Sequence, residues 1–192
     1  MKRLTLHELG PINTLVWPAA EGELDLNLPA VRSFTDFMVH MPSIVHVSEK
    51  AVDLAQSMRR EHIALKLVVN NYEQLMGIVT LESLSDEEIL KKIAEGINRH
   101  DLRVRDFLTP KSLLRTLDYV ELEQACLGDV LMTLQSEGQR HCLVIDSEEQ
   151  RVRGIITASE VSRKFNLPLS IQYRSTFADI FNAVHHVKTD LN

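Results

Sequence analysis

One pattern occurs twice in this chain of 192 residues, and it limits the available folds more than any other feature. Residues Leu65 to Val69 form an apolar run, Asn70-Asn71 a polar turn, and Leu75 onward a second run ending Gly77-Ile78-Val79-Thr80. The later copy opens on Arg140-His141 and continues as Cys142 to Asp146, a polar turn, and a run ending Gly154-Ile155-Ile156-Thr157. Short β-branched runs bounded by polar turns are hairpin signals. Each hairpin follows a stretch with helical spacing. The first carries Val52, Ala55 and Met58 with Leu54 beside them, and the second runs from about Val120 to Ser136, with Asp129 and Leu134 matching Asp53 and Met58. Asp36-Phe37-Met38 is echoed by Asp106-Phe107-Leu108, and Pro42-Ser43-Ile44-Val45 by Pro110-Lys111-Ser112-Leu113-Leu114.

Each copy is therefore a β-α-β-β-α unit. Alone it would expose an apolar sheet face and a helix stripe, which a second copy can cover. The expected fold class is α+β, with two such repeats packed in pseudo-twofold symmetry, an N-terminal arm and a C-terminal helix. Clefts between the copies are natural small-molecule sites. The divisions are an extended arm over 1–33, repeat 1 over 34–84, a connecting helix and linker over 85–103, repeat 2 over 104–166, and an amphipathic helix within 167–192.

Finer expectations follow from local signals. The arm carries Gly10, Pro11, Pro18, Gly22 and Pro29, with Trp17 as its docking residue. Phe34, Phe37 and Met38 share a helical face that begins near Ser33 and ends at Pro42. Ser48 caps a helix running to about Arg60. Thr80 opens a short helix, and Ser85-x-x-Glu88 is a capping box for a helix from Asp86 to Glu95, stopped by Gly96. A helix ends near Asn166, before Pro168. Phe177, Ile180, Phe181 and Val184 form a stripe capped by Ser175 or Thr176.

Composition narrows the function. A formal charge of −6 argues against non-specific binding to nucleic acid. Cys126 and Cys142 read as free thiols in a reducing compartment. No apolar leader core opens the chain, and no apolar run reaches membrane-spanning length, so the expected location is cytoplasmic. No phosphate-binding Gly-rich loop, serine elbow or metal-ligand spacing is present. His185-His186 are neighbours on a helix and diverge, which makes them a solvated helix end. The expectation is a protein that is not an enzyme.

The paired units resemble tandem cystathionine-β-synthase-type (CBS) domains, the Bateman module, over about residues 34–166. The resemblance rests on the mid-repeat helices, the strands LVVN and LVID, and the GIVT and GIIT endings. The whole chain is similar to stand-alone CBS-pair proteins of proteobacteria. The resemblance implies a regulatory module that binds AMP, ADP, ATP or S-adenosylmethionine, requires no cofactor, forms a homodimer and acts on an unknown protein partner. A ligand-free scaffold for protein–protein interaction is the alternative.

In that family, a Gly-h-h-Thr/Ser-x-x-Asp motif (h apolar) holds phosphate with its hydroxyl and ribose with its carboxylate. Repeat 2 reads Gly154-Ile155-Ile156-Thr157-Ala158-Ser159-Glu160, so Thr157 matches and Glu160 replaces Asp. Repeat 1 reads Gly77-Ile78-Val79-Thr80-Leu81-Glu82-Ser83, so Thr80 matches and Ser83 replaces Asp. The family's basic residues before the first hairpin strand correspond to Arg140 and His141, against Ala64 and Leu65 in repeat 1. The implied ligand set is Gly154, Ile155, Thr157, Glu160, Arg140, His141, Leu113 and Leu114, with Thr80 and Ser83 in the poorer copy. Structural readings stand beside it. Thr157-x-x-Glu160 is also a capping box, Thr80 a plain cap, Arg140 a partner for an acid such as Glu137, and His141 a hydrogen-bonded strand residue.

Overall fold

The computed structural model describes residues 25–164 and 176–182. In chain order it contains β1 (Thr35–Asp36), β2 (Ile44–His46), α1 (Ala51–Glu61), β3 (Leu65–Val69), β4 (Leu75–Thr80), α2 (Asp86–Ala94), β5 (Thr109–Pro110), β6 (Thr116–Asp118), α3 (Tyr119–Gln124), α4 (Leu127–Ser136), β7 (His141–Asp146), β8 (Arg151–Thr157) and α5 (Ala158–Lys164). Residues 177–182 are also helical.

The strands form two four-stranded sheets, ordered β2-β3-β4-β5 and β1-β8-β7-β6. β2 lies parallel to β3 across the α1 crossover, and β6 parallel to β7 across α3 and α4. The hairpins β3–β4 and β7–β8 are antiparallel. Each sheet is completed by the other repeat. β1, at the start of repeat 1, pairs antiparallel with β8, and β5, at the start of repeat 2, pairs with β4. The repeats are thus stitched together by exchanged edge strands.

Alternation along the strands separates three apolar layers, because successive side chains point to opposite sheet faces. Leu67 and Ile78 meet Leu143 and Ile155 between the two sheets. Val68 and Val79 face the opposite way, into a core with Leu54, Met58 and Ile89. Cys142, Val144 and Ile156 enter a second helix-side core with Leu127, Leu131 and Val161. Phe177 and Ile180 are fully buried there too, which gives the C-terminal stripe its function. Thr176 caps that segment, its Oγ1 accepting from the Asp179 N–H at 3.2 Å while the Asp179 carboxylate accepts from the Thr176 N–H at 2.7 Å. Val184, His185, His186, Trp17 and the helix end at Asn166 lie outside the described residues.

Several local expectations are corrected. Phe34, Phe37 and Met38 do not share a helical face: Phe34 is buried, Met38 is 64% exposed, and Thr35-Asp36 between them is captured as a strand by β8. Ser48 does not cap α1. The N-cap is Lys50, and Ser48 Oγ sits 2.6 Å from His46 Nδ1. The helix expected over 120–136 is two helices, because Ala125 and Cys126 are extended and bridged to residues 28–30. Ala30 N–H donates to Ala125 O at 3.0 Å and Leu127 N–H to Leu28 O at 2.8 Å, so residues 25–33 of the arm belong to the body of repeat 2. No helix opens at Thr80; residues 81–84 form a turn before α2, whose cap is Ser85. The Asp36/Asp106 echo is not an equivalence in space. Thr35 faces Ile155 as Thr109 faces Ile78, so Asp36 corresponds to Pro110.

Asp36 has its own task. Its carboxylate makes a bidentate pair with Arg153, at 2.8 and 2.9 Å. That guanidinium stacks 4.3 Å from the centre of the Tyr119 ring, which itself packs against Phe34. Arg153 therefore holds the Asp36 carboxyl below the usual carboxylate range, and the pair locks β1 onto the foreign sheet. The two motif glycines serve the same exchange. A Cβ on Gly154 would stand 2.3 Å from Thr35 O, and one on Gly77 would stand 2.1 Å from Thr109 O. Gly154→Ala is expected to lower unfolding stability by about 3 kcal/mol in urea titration, since backbone and not a flexible side chain must yield. Asp36→Ala should cost about 2 kcal/mol by the same measurement. A wild-type midpoint in Gly154→Ala would contradict the strand-exchange packing.

Candidate functional site

β4 and β8 both end on a threonine, and both threonines open onto one cleft between the repeats, of about 500 Å³. That volume suits a small-molecule site. Apolar groups come from Ala64 and Leu65 before and at the start of β3, and from Phe107 and Leu108 just ahead of the exchanged β5. Repeat 2 contributes Arg140, His141, Thr157 and Ser159.

The hydroxyls are preorganised by local bonding. Thr157 Oγ1 accepts from the Glu160 N–H at 3.1 Å, the N-cap half of the expected capping box, and lies 3.3 Å from Ser159 Oγ. In repeat 1 the match is reciprocal: Thr80 Oγ1 accepts from the Ser83 N–H at 3.1 Å, and Ser83 Oγ accepts from the Thr80 N–H at 3.1 Å while donating to Thr80 O at 2.9 Å.

His141 is paired in register with Thr157, as Leu65 is with Thr80. Burial, reinforced by the neighbouring Arg140 charge, pushes the imidazole below its ordinary value of 6.5. Arg140 does not pair with Glu137. Its guanidinium donates to the Glu82 carboxylate of repeat 1, across the cleft. Glu88 and Lys92 of α2 and Asp106 complete the charged lining. Each is already engaged: Glu88 with Lys91 at 2.7 Å, Lys92 with Glu95 at 2.9 Å, and Asp106 with the Arg103 N–H at 2.8 Å.

Of the ten expected ligand residues, Thr80, Ser83, Arg140, His141 and Thr157 come together in this cleft. Glu160 does not line it. Its carboxylate accepts from Thr35 Oγ1 at 3.3 Å and from Arg163 at 2.9 Å, so the other half of the capping box is unmade. Gly154 lies beneath the β1 backbone, and Ile155 and Leu114 belong to the layer between sheets. Leu113 is 70% exposed and outside the cleft.

The sequence reading missed Glu82, Phe107, Leu108 and Thr109. A helix opening at Thr80 would turn Glu82 away from Ser83 around its axis, and the turn found there instead brings its carboxylate to Arg140. Residues 107–109 enter only because β5 is exchanged, and the apolar Phe107 and Leu108 at the start of the second copy were the one available signal.

A larger depression, about 790 Å³, lies beside α1 and the ends of β2 and β3, and is lined by repeat 1 alone. It brings no residues of the two repeats together. Among the described residues no group of three or more His, Cys, Asp or Glu side chains could hold a metal, and no helix is long and apolar enough to cross a membrane.

The family model of the CBS domain matches residues 34–94. No curated protein matches the chain. Among solved structures, an uncharacterised conserved protein from Pyrococcus horikoshii is similar at 20% identity and TM-score 0.53, over 77% of this chain and 98% of its own. A hemolysin-like protein containing a CBS domain, from Oenococcus oeni PSU, is similar at 16% identity and TM-score 0.52, over 73% of this chain and 92% of its own. CBSX2, whose structure is a complex with AMP, is similar at 20% identity and TM-score 0.50, over 71% of this chain and 94% of its own. The family match thus marks a CBS domain at residues 34–94, and the structural likenesses show that the chain has the α+β fold of these CBS-domain structures.

Proposed function

We propose that this chain is a non-catalytic regulatory module that binds an adenosine-containing ligand, AMP, ADP, ATP or S-adenosylmethionine, in the cleft between its repeats. The observation that carries the reading is convergence. Two strand-end hydroxyls, Thr80 and Thr157, share one cleft with a guanidinium, an imidazole and an apolar wall. Ala64, Leu65, Phe107 and Leu108 are suited to the face of a purine, and Thr157, Arg140 and His141 to a phosphate or carboxylate. The AMP complex of CBSX2, which shares the fold, supports this choice of ligand class.

The ligand-free scaffold is the second reading, and a specific observation favours it: Thr80 and Ser83 satisfy each other, and Glu82 already satisfies Arg140. A homodimer fits both readings, supported by exposed Leu90 on α2 and Met132 on α4. The free thiols of Cys126 and Cys142 suit a cytoplasmic location.

Calorimetric titration with AMP separates the readings. The regulatory module should bind, and Thr157→Val or Arg140→Gln should weaken binding about 10-fold. Absence of binding at millimolar AMP, ADP, ATP and S-adenosylmethionine would leave the scaffold.

The neutral His141 predicts a pH effect with a definite sign. Its folded pKa is depressed, so as pH falls through the ordinary value of 6.5 the unfolded chain takes up the proton first. The stabilisation from a neutral His141 is complete above that pH and is lost as pH falls through the folded value. Thermal unfolding of wild type should therefore decline more steeply with acidification below about pH 6.5 than that of His141→Gln.

A further inference from the structure

Every cation of the cleft already has an acid. Lys92 is held by Glu95 at 2.9 Å. Arg140 is held by Glu82, and this pair alone among the described ion pairs of the cleft joins one repeat to the other. Three carboxylates, Glu82, Glu88 and Asp106, line the same space as two cations, Arg140 and Lys92. A ligand phosphate that reaches Arg140 must therefore displace a carboxylate and remain among like charges. The pair can be displaced, since its side chains are 42% and 55% exposed, and exposed pairs hold weakly.

We infer that Glu82 sets the charge selectivity of the cleft: it competes with the ligand's anionic group for Arg140 and disfavours polyphosphates relative to ligands of low negative charge. The inference rests on the proposed binding of an adenosine-containing ligand. It assigns a selective function to a residue at the second position after Thr80, in the turn over residues 81–84. When an anion takes Arg140, Glu82 is released, and that turn loses its polar tie to repeat 2. The ligand's charge thus decides both affinity and whether this contact between the repeats opens.

The test titrates adenosine, AMP and ATP into wild type, Glu82→Gln and Glu82→Asp at low salt. Removing the carboxylate should leave adenosine affinity within about twofold, tighten AMP about 3-fold and tighten ATP about 10-fold. The differences should shrink at about 0.5 M salt, and Glu82→Asp should keep the wild-type ranking. Equal shifts for all three ligands, as from a change of cleft shape, or no shift at all, would overturn the inference while binding itself stood. If none of the three ligands binds any of the proteins, the binding reading fails and takes this inference with it.

Discussion

The close passage of an exchanged strand over a glycine is the contact on which the rest of the molecule depends. At Gly77 the backbone of residue 109 lies where a side chain would begin, and at Gly154 the backbone of residue 35 does the same. Two short edge strands, β1 and β5, would hold little by themselves, with two residues each. They are retained because the glycines let them approach, and because β1 is further clamped by the Asp36–Arg153 pair stacked on Tyr119. Neither repeat can complete its sheet without the other, so the unit of folding is the pair.

The exchange also creates the cleft. The pairing of β5 with β4 brings the preceding Phe107 and Leu108 to the cleft with Thr80, while the two hairpins press Leu67, Ile78, Leu143 and Ile155 into the layer between the sheets. That layer brings the strand ends Thr80 and Thr157 to the same opening. Apolar groups from the start of β3 and from the segment ahead of β5 meet there with hydroxyls from the ends of β4 and β8 because the backbone topology requires it. The side chains at the cleft are held mostly by their own neighbours, as in the reciprocal Thr80–Ser83 bonds, so the opening is shaped before any ligand arrives.

The duplication, the hairpins and the alternation of apolar residues were readable in the sequence, because they are local periodicities. Edge pairing was not, since two residues of strand carry no periodicity of their own. The cost of missing it was specific. Asp36 and Asp106 look like counterparts in the sequence, yet one clamps a strand and the other accepts a bond from the Arg103 backbone. Glu160 matches the motif in type and position, but the exchanged β1 presents Thr35 to it, and Arg163 takes its other oxygen. Thr157, Arg140 and His141 reach the cleft because a strand end and its register partner share an edge of the sheet, which the hairpin pattern already implies.

The two halves of the cleft differ in charge more than in shape. Where repeat 2 places Arg140 and His141, repeat 1 places Ala64 and Leu65, so the pseudo-twofold relation brings an apolar edge to face a basic one. The Arg140 guanidinium is 42% exposed, and Glu82 answers it from the opposite repeat, where the turn after Thr80 reaches across. Burial disfavours charge at the neighbouring His141. In repeat 2 the corresponding position is Ser159, which stays beside Thr157. The loss of symmetry is therefore a matched pair of changes, a basic residue in one copy and an acid in the other. It converts two similar edges into a single cleft with a defined polarity.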